Sequence, residues 1–442
     1  MKKTASLGLA VALFLSGGAQ GHAQTSQANT VFLAYDLARE LTTEIGARPA
    51  GSRAEARARA WAVERLRGLG FQNVRDESFE IDVWRRGAER AHLTFPSEHA
   101  LVVTGLGGSV ATPRRGVEAP VAFVESFDAL VAAPETAFVD RIVFVNDRMT
   151  PSRDGAGYGS ALRKRSQGAS EAARRGAIAL LIRSVGTGTD RFGHAGMLSY
   201  RPDAPRIPAA AISAPDADLL ERHAASGSEM RVRLLLRPTT ERNAVSGNIV
   251  ADLPGSDIAS EIVLLGAHLD SWDLGQGALD DAAGVAMVIE AALRAAGPDL
   301  RARRTIRVVL FGAEEISGRG GQDYATRHAG DTHVLATEAD FGAARIWGYF
   351  TNVPESDLPF FDSVGRDLAS MGIERGHNRA QGGEDIRPLR RAGVPVVSLV
   401  QDGTTYFDFH HTANDTFDKI DPAALEQNVQ VFSILTERVA DR

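Results

Sequence analysis

The chain of 442 residues contains no cysteine. That excludes disulfides, a lipid-modified cysteine behind a leader and any thiolate ligand, so a metal site must be built from His, Asp and Glu. A basic stripe is also missing. Lys and Arg number 49 against 56 Asp and Glu, a net charge of -7, which argues against a nucleic-acid partner. Beyond the N-terminus no run of about 18 apolar residues occurs, so no later segment is expected to span a membrane or anchor the chain to it. Tandem repeats are absent as well.

Apolar residues make up 44% and charged residues 24%, the balance of a soluble globular protein long enough for two domains. Without disulfides such a chain is held by core burial, which this length permits. At the N-terminus Lys2 and Lys3 precede a short apolar run over residues 7–15, and Gly21-His22-Ala23 offers a small-x-small cleavage site. Residues 1–23 therefore read as a secretory signal peptide, and the product as secreted or periplasmic.

Residues 29–45 and 52–69 read as helices, separated by Arg48-Pro49-Ala50-Gly51-Ser52. Alternation over 74–83 and 92–95 suggests strands that pair with each other. The texture changes near Pro120. Residues 120–238 read as an inserted domain with short buried strands at 142–145, 178–182 and 232–236, and 237–240 as its exit linker. From Asn243 onward, strands at 262–265, 305–310, 334–337 and 394–400 alternate with helices at 282–295, 320–327 and 358–369. Asp421-Pro422 caps a last helix. This order argues for an α/β fold with a mostly parallel or mixed sheet flanked by helices, formed by residues 24–119 and 239–442.

Candidate ligands fall at the ends of those strands. His268 follows the first, Glu314 and Glu315 the second and Asp340 the third, and in open α/β sheets ligands bind outside the carboxyl ends of strands. Asp280 precedes the helix after His268, and His411 lies between the last strand and the last helix. Two zinc ions close together need a bridging carboxylate and terminal imidazole and carboxylate ligands. The set supplies them: His268 and Asp340 for one ion, Glu315 and His411 for the other, Asp280 between. Glu314 is then free to act as general base. Asp270 could orient His268 through the other ring nitrogen. Each motif alone is common; their joint occurrence in order is not.

The run from His268-Leu269-Asp270-Ser271-Trp272 through Gly277-Ala278-Leu279-Asp280-Asp281 resembles the co-catalytic zinc aminopeptidase and carboxypeptidase Q family. So do Ala313-Glu314-Glu315, Glu338-Ala339-Asp340 and Phe409-His410-His411 through Asp415-Thr416. Ser166-Gln167-Gly168-Ala169 and Leu181-Ile182-Arg183-Ser184-Val185 resemble the mainly-β protease-associated domain that such enzymes carry as an insert. The resemblance implies a zinc exopeptidase fold and two Zn2+ per chain, with His268, Asp280, Glu315, Asp340 and His411 as ligands and Glu314 as base. Its His-(Ser/Thr)-x-x-Asp-Thr pattern selects His411 over His410. It further implies a cis peptide at Asp280-Asp281, hydrolysis of dipeptides or short peptides with free ends, and a homodimer. Phe341 after Asp340 departs from the pattern and bears on specificity, for which Tyr406 and the loop Gly382-Gly383-Glu384-Asp385 are pocket candidates. The same fold with one zinc would serve a glutaminyl-cyclase-like reaction. A non-catalytic binding ectodomain would be expected to have lost ligands, and here the set is complete.

Overall fold

A computed structural model describes residues 32–442, which form one compact unit. The leader expected over residues 1–23 lies outside the described residues. Among these, no helix is long and apolar enough to cross a membrane.

Eight strands make the first sheet, in the order Gln72–Arg85, Thr239–Leu253, Arg304–Phe311, Ile258–His268, Thr332–Glu338, Val396–Gln401, Ile346–Asn352 and Glu374–Arg375. The four central strands from Arg304–Phe311 to Val396–Gln401 run parallel. Their apolar runs suit a sheet covered on both faces. Because side chains alternate along a strand, Val263 and Leu265 join one core while Leu264 joins another. The first core packs the helices Ala283–Ala296, Pro422–Ala440 and Leu33–Glu40 against one face. The second sets Tyr324 and Leu389, from Arg319–Arg327 and Arg387–Arg391, against the other.

The chain leaves this sheet after Arg85 and rejoins it at Thr239. Between them lies a second sheet in the order His99–Leu101, Glu89–Phe95, Arg231–Leu236, Val117–Val124, Ile142–Val145, Ala179–Arg183, Ala209–Ile212, Val103–Gly105. Val117–Val124 through Ala209–Ile212 are parallel, with helices such as Phe127–Ala132 and Gly168–Arg174 between them in the chain, and Ala214–Ala225 follows the last. Two sequence expectations are corrected here. Residues 74–83 pair not with 92–95 but antiparallel with Thr239–Leu253, and Glu89–Phe95 pairs with Arg231–Leu236. Short alternating runs fix a face but not a partner. Nor is 237–240 a linker throughout, since Thr239 and Thr240 pair with Arg85 and Trp84.

The last helix begins as its cap predicts: the Asp421 carboxylate accepts the amides of Ala423 at 2.7 Å and Ala424 at 3.3 Å. Asp421→Ala is expected to cost about 1 kcal/mol. Phe432→Ala, at a fully buried position on the same helix, is expected to cost about 3–5 kcal/mol. Urea unfolding should show this as a small and a large shift in midpoint at unchanged slope.

Candidate metal centre

The sheet delivers its acids and imidazoles to one place. His268 is the last residue of Ile258–His268, and Glu314 and Glu315 open the short helix Glu314–Ser317 just after Arg304–Phe311. Asp340 follows Thr332–Glu338 by two residues. His268 Nε2 lies 3.0 Å from Asp280 Oδ1 and 3.3 Å from Asp340 Oδ1. His411 Nε2 lies 3.3 Å from Asp280 Oδ2 and 3.1 Å from Glu315 Oε2. The two oxygens of Asp280 thus face different imidazoles, and ligand atoms of His268, Asp280 and Glu315 also lie within 4.8 Å of one another.

These spacings suit metal ions. Two donors about 2.0–2.1 Å from one tetrahedral zinc lie about 3.3 Å apart. Asp280 Oδ2 and Glu315 Oε1 are buried without a hydrogen-bond partner, acceptors that a cation would satisfy. The electrostatics agree. Burial raises the carboxyls of Asp340, Glu314 and Glu315, the last to about 7, and neighbouring carboxylates add to each rise. Asp281 and Asp385 are likewise pushed well up by burial. Burial alone would lower the two imidazoles, but Asp340 and Asp280 beside His268 raise it, and Glu315 and Asp280 bring His411 to about 10. Positive charge is favoured at both positions.

A second layer of contacts holds the donors. His268 Nδ1 points to the backbone carbonyl of Asp270 at 3.0 Å. This corrects the expected role of the Asp270 side chain, whose Oδ1 is 3.8 Å from that nitrogen and instead accepts the Glu314 amide at 3.0 Å. Asp270 therefore aims both the imidazole and the glutamate, by different atoms. The Asp280-Asp281 peptide is cis. Asp281 accepts the His268 amide at 3.0 Å and the Gly284 amide at 3.1 Å, joining a strand end to a helix start. Asp415 accepts the Leu279 amide at 2.7 Å, just before Asp280. Glu338 accepts the amides of Asp385 and Ile386 at 3.3 and 3.0 Å, so it braces the 382–385 loop.

Arg48 was not among the sequence candidates. Fully buried, it donates to the carbonyls of Leu269, Gln276 and Gly277 at 2.6, 2.7 and 2.9 Å, spanning the segment between His268 and Asp280. Its only sequence trace is the Arg48-Pro49 break between helices. His410 stacks on His411 with ring centroids 3.6 Å apart and lies 3.6 Å from Asp280, farther than His411.

Glu314, Asp280, Asp340 and His411 line a cleft of 410 Å³ closed by Tyr158, Arg165 and Tyr406. A larger cavity of 760 Å³ shares Asp340 and Phe341 with it and extends past Trp347, Phe350 and Gly382-Gly383. Tyr406 and the 382–385 loop thus reach the pocket. Arg165 comes from the second sheet's side. It is buried, donates to Tyr158 Oη at 2.7 Å and has no carboxylate partner among the described residues.

Residues 248–436 match the profile of peptidase family M28. Carboxypeptidase Q of Bos taurus is 34% identical over 409 residues, covering 92% of this chain and 85% of that protein. A crystal structure of a peptidase M28 precursor from Shewanella amazonensis is 43% identical, with a TM-score of 0.91 over 93% of each chain. A zinc aminopeptidase from Bacillus subtilis shares the fold at 20% identity and a TM-score of 0.65, over 92% of this chain and 94% of that one.

The buried acids make metal removal visible as pH dependence. Burial pushes Glu55, Glu338 and Asp415 each to about 7. An acid with a raised folded pKa binds more protons folded than unfolded, so stability is lost as pH rises from about 4 through about 7. Chelator-treated protein is expected to melt progressively lower between about pH 4 and 7. Protein loaded with divalent cation should hold its melting temperature better over that range. A chelated sample that gained stability there would contradict the charge balance described.

Proposed function

The chain belongs to peptidase family M28 and is a metallopeptidase, and from that premise we propose that it is a di-zinc exopeptidase acting on dipeptides or short peptides with free ends. The observation that carries this reading is the division of Asp280, with Oδ1 on His268, which also meets Asp340, and Oδ2 facing His411, which also meets Glu315. Such a carboxylate serves as the shared ligand of a two-ion site, with His268 and Asp340 on one ion and Glu315 and His411 on the other. Zinc held by these residues would supply Lewis-acid chemistry, polarising a scissile carbonyl and making a nearby water more acidic.

The chain's own residues supply the rest. Glu314, raised by burial among carboxylates, would take the proton of the attacking water and return it to the leaving amine. The Asp270 carboxylate on the Glu314 amide keeps the base in place. Arg165, a buried cation without an acidic partner in the cleft, suits the free carboxylate of a short substrate. On the same reading residues 1–23 direct export, the enzyme is a homodimer, and the inserted domain expected over 120–238 takes in the whole second sheet, from Glu89 to Leu236. The leader pattern of Lys2, Lys3 and the apolar run supports export, and departure from the first sheet between Arg85 and Thr239 supports an insert. The homodimer rests on the family resemblance alone.

Metal analysis of active protein should return about two zinc per chain, and one would favour the cyclase chemistry. Glu314→Gln is expected to keep the metal and lose about a hundredfold or more in kcat; near-normal turnover would remove Glu314 from the role of base. On the wild-type enzyme, a dipeptide should exceed its C-terminal amide by about tenfold or more in kcat/KM, a charge-assisted bond being worth about 1.5–3 kcal/mol. Equal rates would sink the assignment of Arg165.

A further inference from the structure

His411 reaches the centre from a backbone at φ +62°, a left-handed conformation uncommon for a residue with a side chain. What holds it there comes from the other sheet. The Ala195 amide donates to the His411 carbonyl at 2.9 Å, and His411 Nδ1 lies 3.2 Å from the Ala195 carbonyl. One residue earlier on both segments, His194 Nδ1 lies 2.8 Å from the His410 carbonyl. A carbonyl oxygen only accepts, so both Nδ1 atoms carry their protons. For His411 this leaves Nε2 as the nitrogen facing Asp280 and Glu315, where a cation would take the place of its proton, the form in which an imidazole binds a metal.

We infer that His194 and the Ala195 backbone, on the loop between Ala179–Arg183 and Ala209–Ile212, position the metal-binding imidazole of His411 and set its tautomer. This makes one ion's site depend on the second sheet, and it rests on the reading of His411 as a ligand.

The loop is shaped for that contact. Its other attachments fix the two residues: the His194 amide donates to Ser184 Oγ at 3.0 Å, and Arg165 Nη1 donates to the Ala195 carbonyl at 3.2 Å. His194 is buried, and its ring nitrogen is on the His410 carbonyl. Gly186 and Gly196 permit the approach. A Cβ at Gly186 would stand 2.1 Å from the His194 ring, and one at Gly196, where φ is +133°, would stand 2.3 Å from the Arg165 guanidinium. Thr187 Oγ1 donates to Asp408 at 2.7 Å, tying the start of the same loop to the segment ahead of His411. These bonds converge on residues 408–411; none of them touches His268, Asp340 or the Glu314 amide. A positioning effect should therefore act on the ion facing His411 and spare the ion facing His268.

The test is zinc affinity, measured by competition with a chromogenic chelator on His194→Leu, which removes the donor, and on His194→Asn, whose amide can replace it. His194→Leu is expected to bind one zinc as wild type does and the other about ten- to a hundredfold more weakly, the usual size of such outer contacts. His194→Asn should recover most of the loss. Gly186→Ala, which displaces the ring without removing it, should weaken the same ion and stands in if His194→Leu does not fold. Folded variants that hold both ions as tightly as wild type, or weaken both equally, overturn the inference. Wild-type protein that never takes up a second zinc would instead overturn the two-ion reading itself, so the two failures are distinguishable.

Discussion

Repulsion among buried carboxylates at one end of the first sheet is the constraint on which the site depends. Asp280, Asp281, Glu315, Glu338, Asp385 and Asp415 are all nearly removed from water. Burial raises every one of them except Asp280, which His268 and His411 hold low against its own burial. A fold can keep such a group only with compensating positive charge or donated hydrogen bonds. The molecule uses both. Imidazoles and the positions for cations face the acids from above, while main-chain amides and the Arg48 span hold the loops from below.

This explains why so much of the surrounding loop structure is fastened by side chains to backbone. Asp270, Asp281 and Asp415 take the amides of Glu314, His268 and Leu279, each a donor residue or next to one, and Glu338 takes those of Asp385 and Ile386 in the pocket loop. None of the four is needed as a ligand, and each sits within a few residues of one. The pairing of a reacting acid with a bracing acid recurs at Asp280-Asp281 and Glu338-Ala339-Asp340. Sequence neighbours are thereby given different work, one facing the imidazoles and the other taking main-chain amides.

The second sheet contributes more than a covering. Tyr158 and Arg165 close the cleft, and the His194–Ala195 carbonyl and imidazole contacts reach behind His411. The catalytic end of the first sheet is thus completed by a loop belonging to the second. A mixed architecture of this kind couples cleft shape to metal geometry through a handful of hydrogen bonds.

Local pattern made much of this legible from residues alone. Asp421-Pro422 announces a helix start because capping is local, and the apolar runs at 262–265 and 305–310 mark strands because burial on both faces leaves a continuous stretch. His268, Asp280, Glu315, Asp340 and His411 stand out because metal chemistry uses those residue types, at strand ends and in the loops beyond them. What the sequence could not carry was partnership across the chain. Residues 74–83 pair with a strand some 165 positions on because register is chosen by packing, not by the run itself. The carbonyls of Asp270 and Ala195 orient the two imidazoles, and a carbonyl has no signature, since every residue has one. Arg48 looked like part of a turn until folding wrapped the 269–277 segment around it. The sequence alone determined which side chains can do the chemistry; tertiary structure decided which backbone atoms aim them, because aiming is a property of distances that only a folded chain possesses.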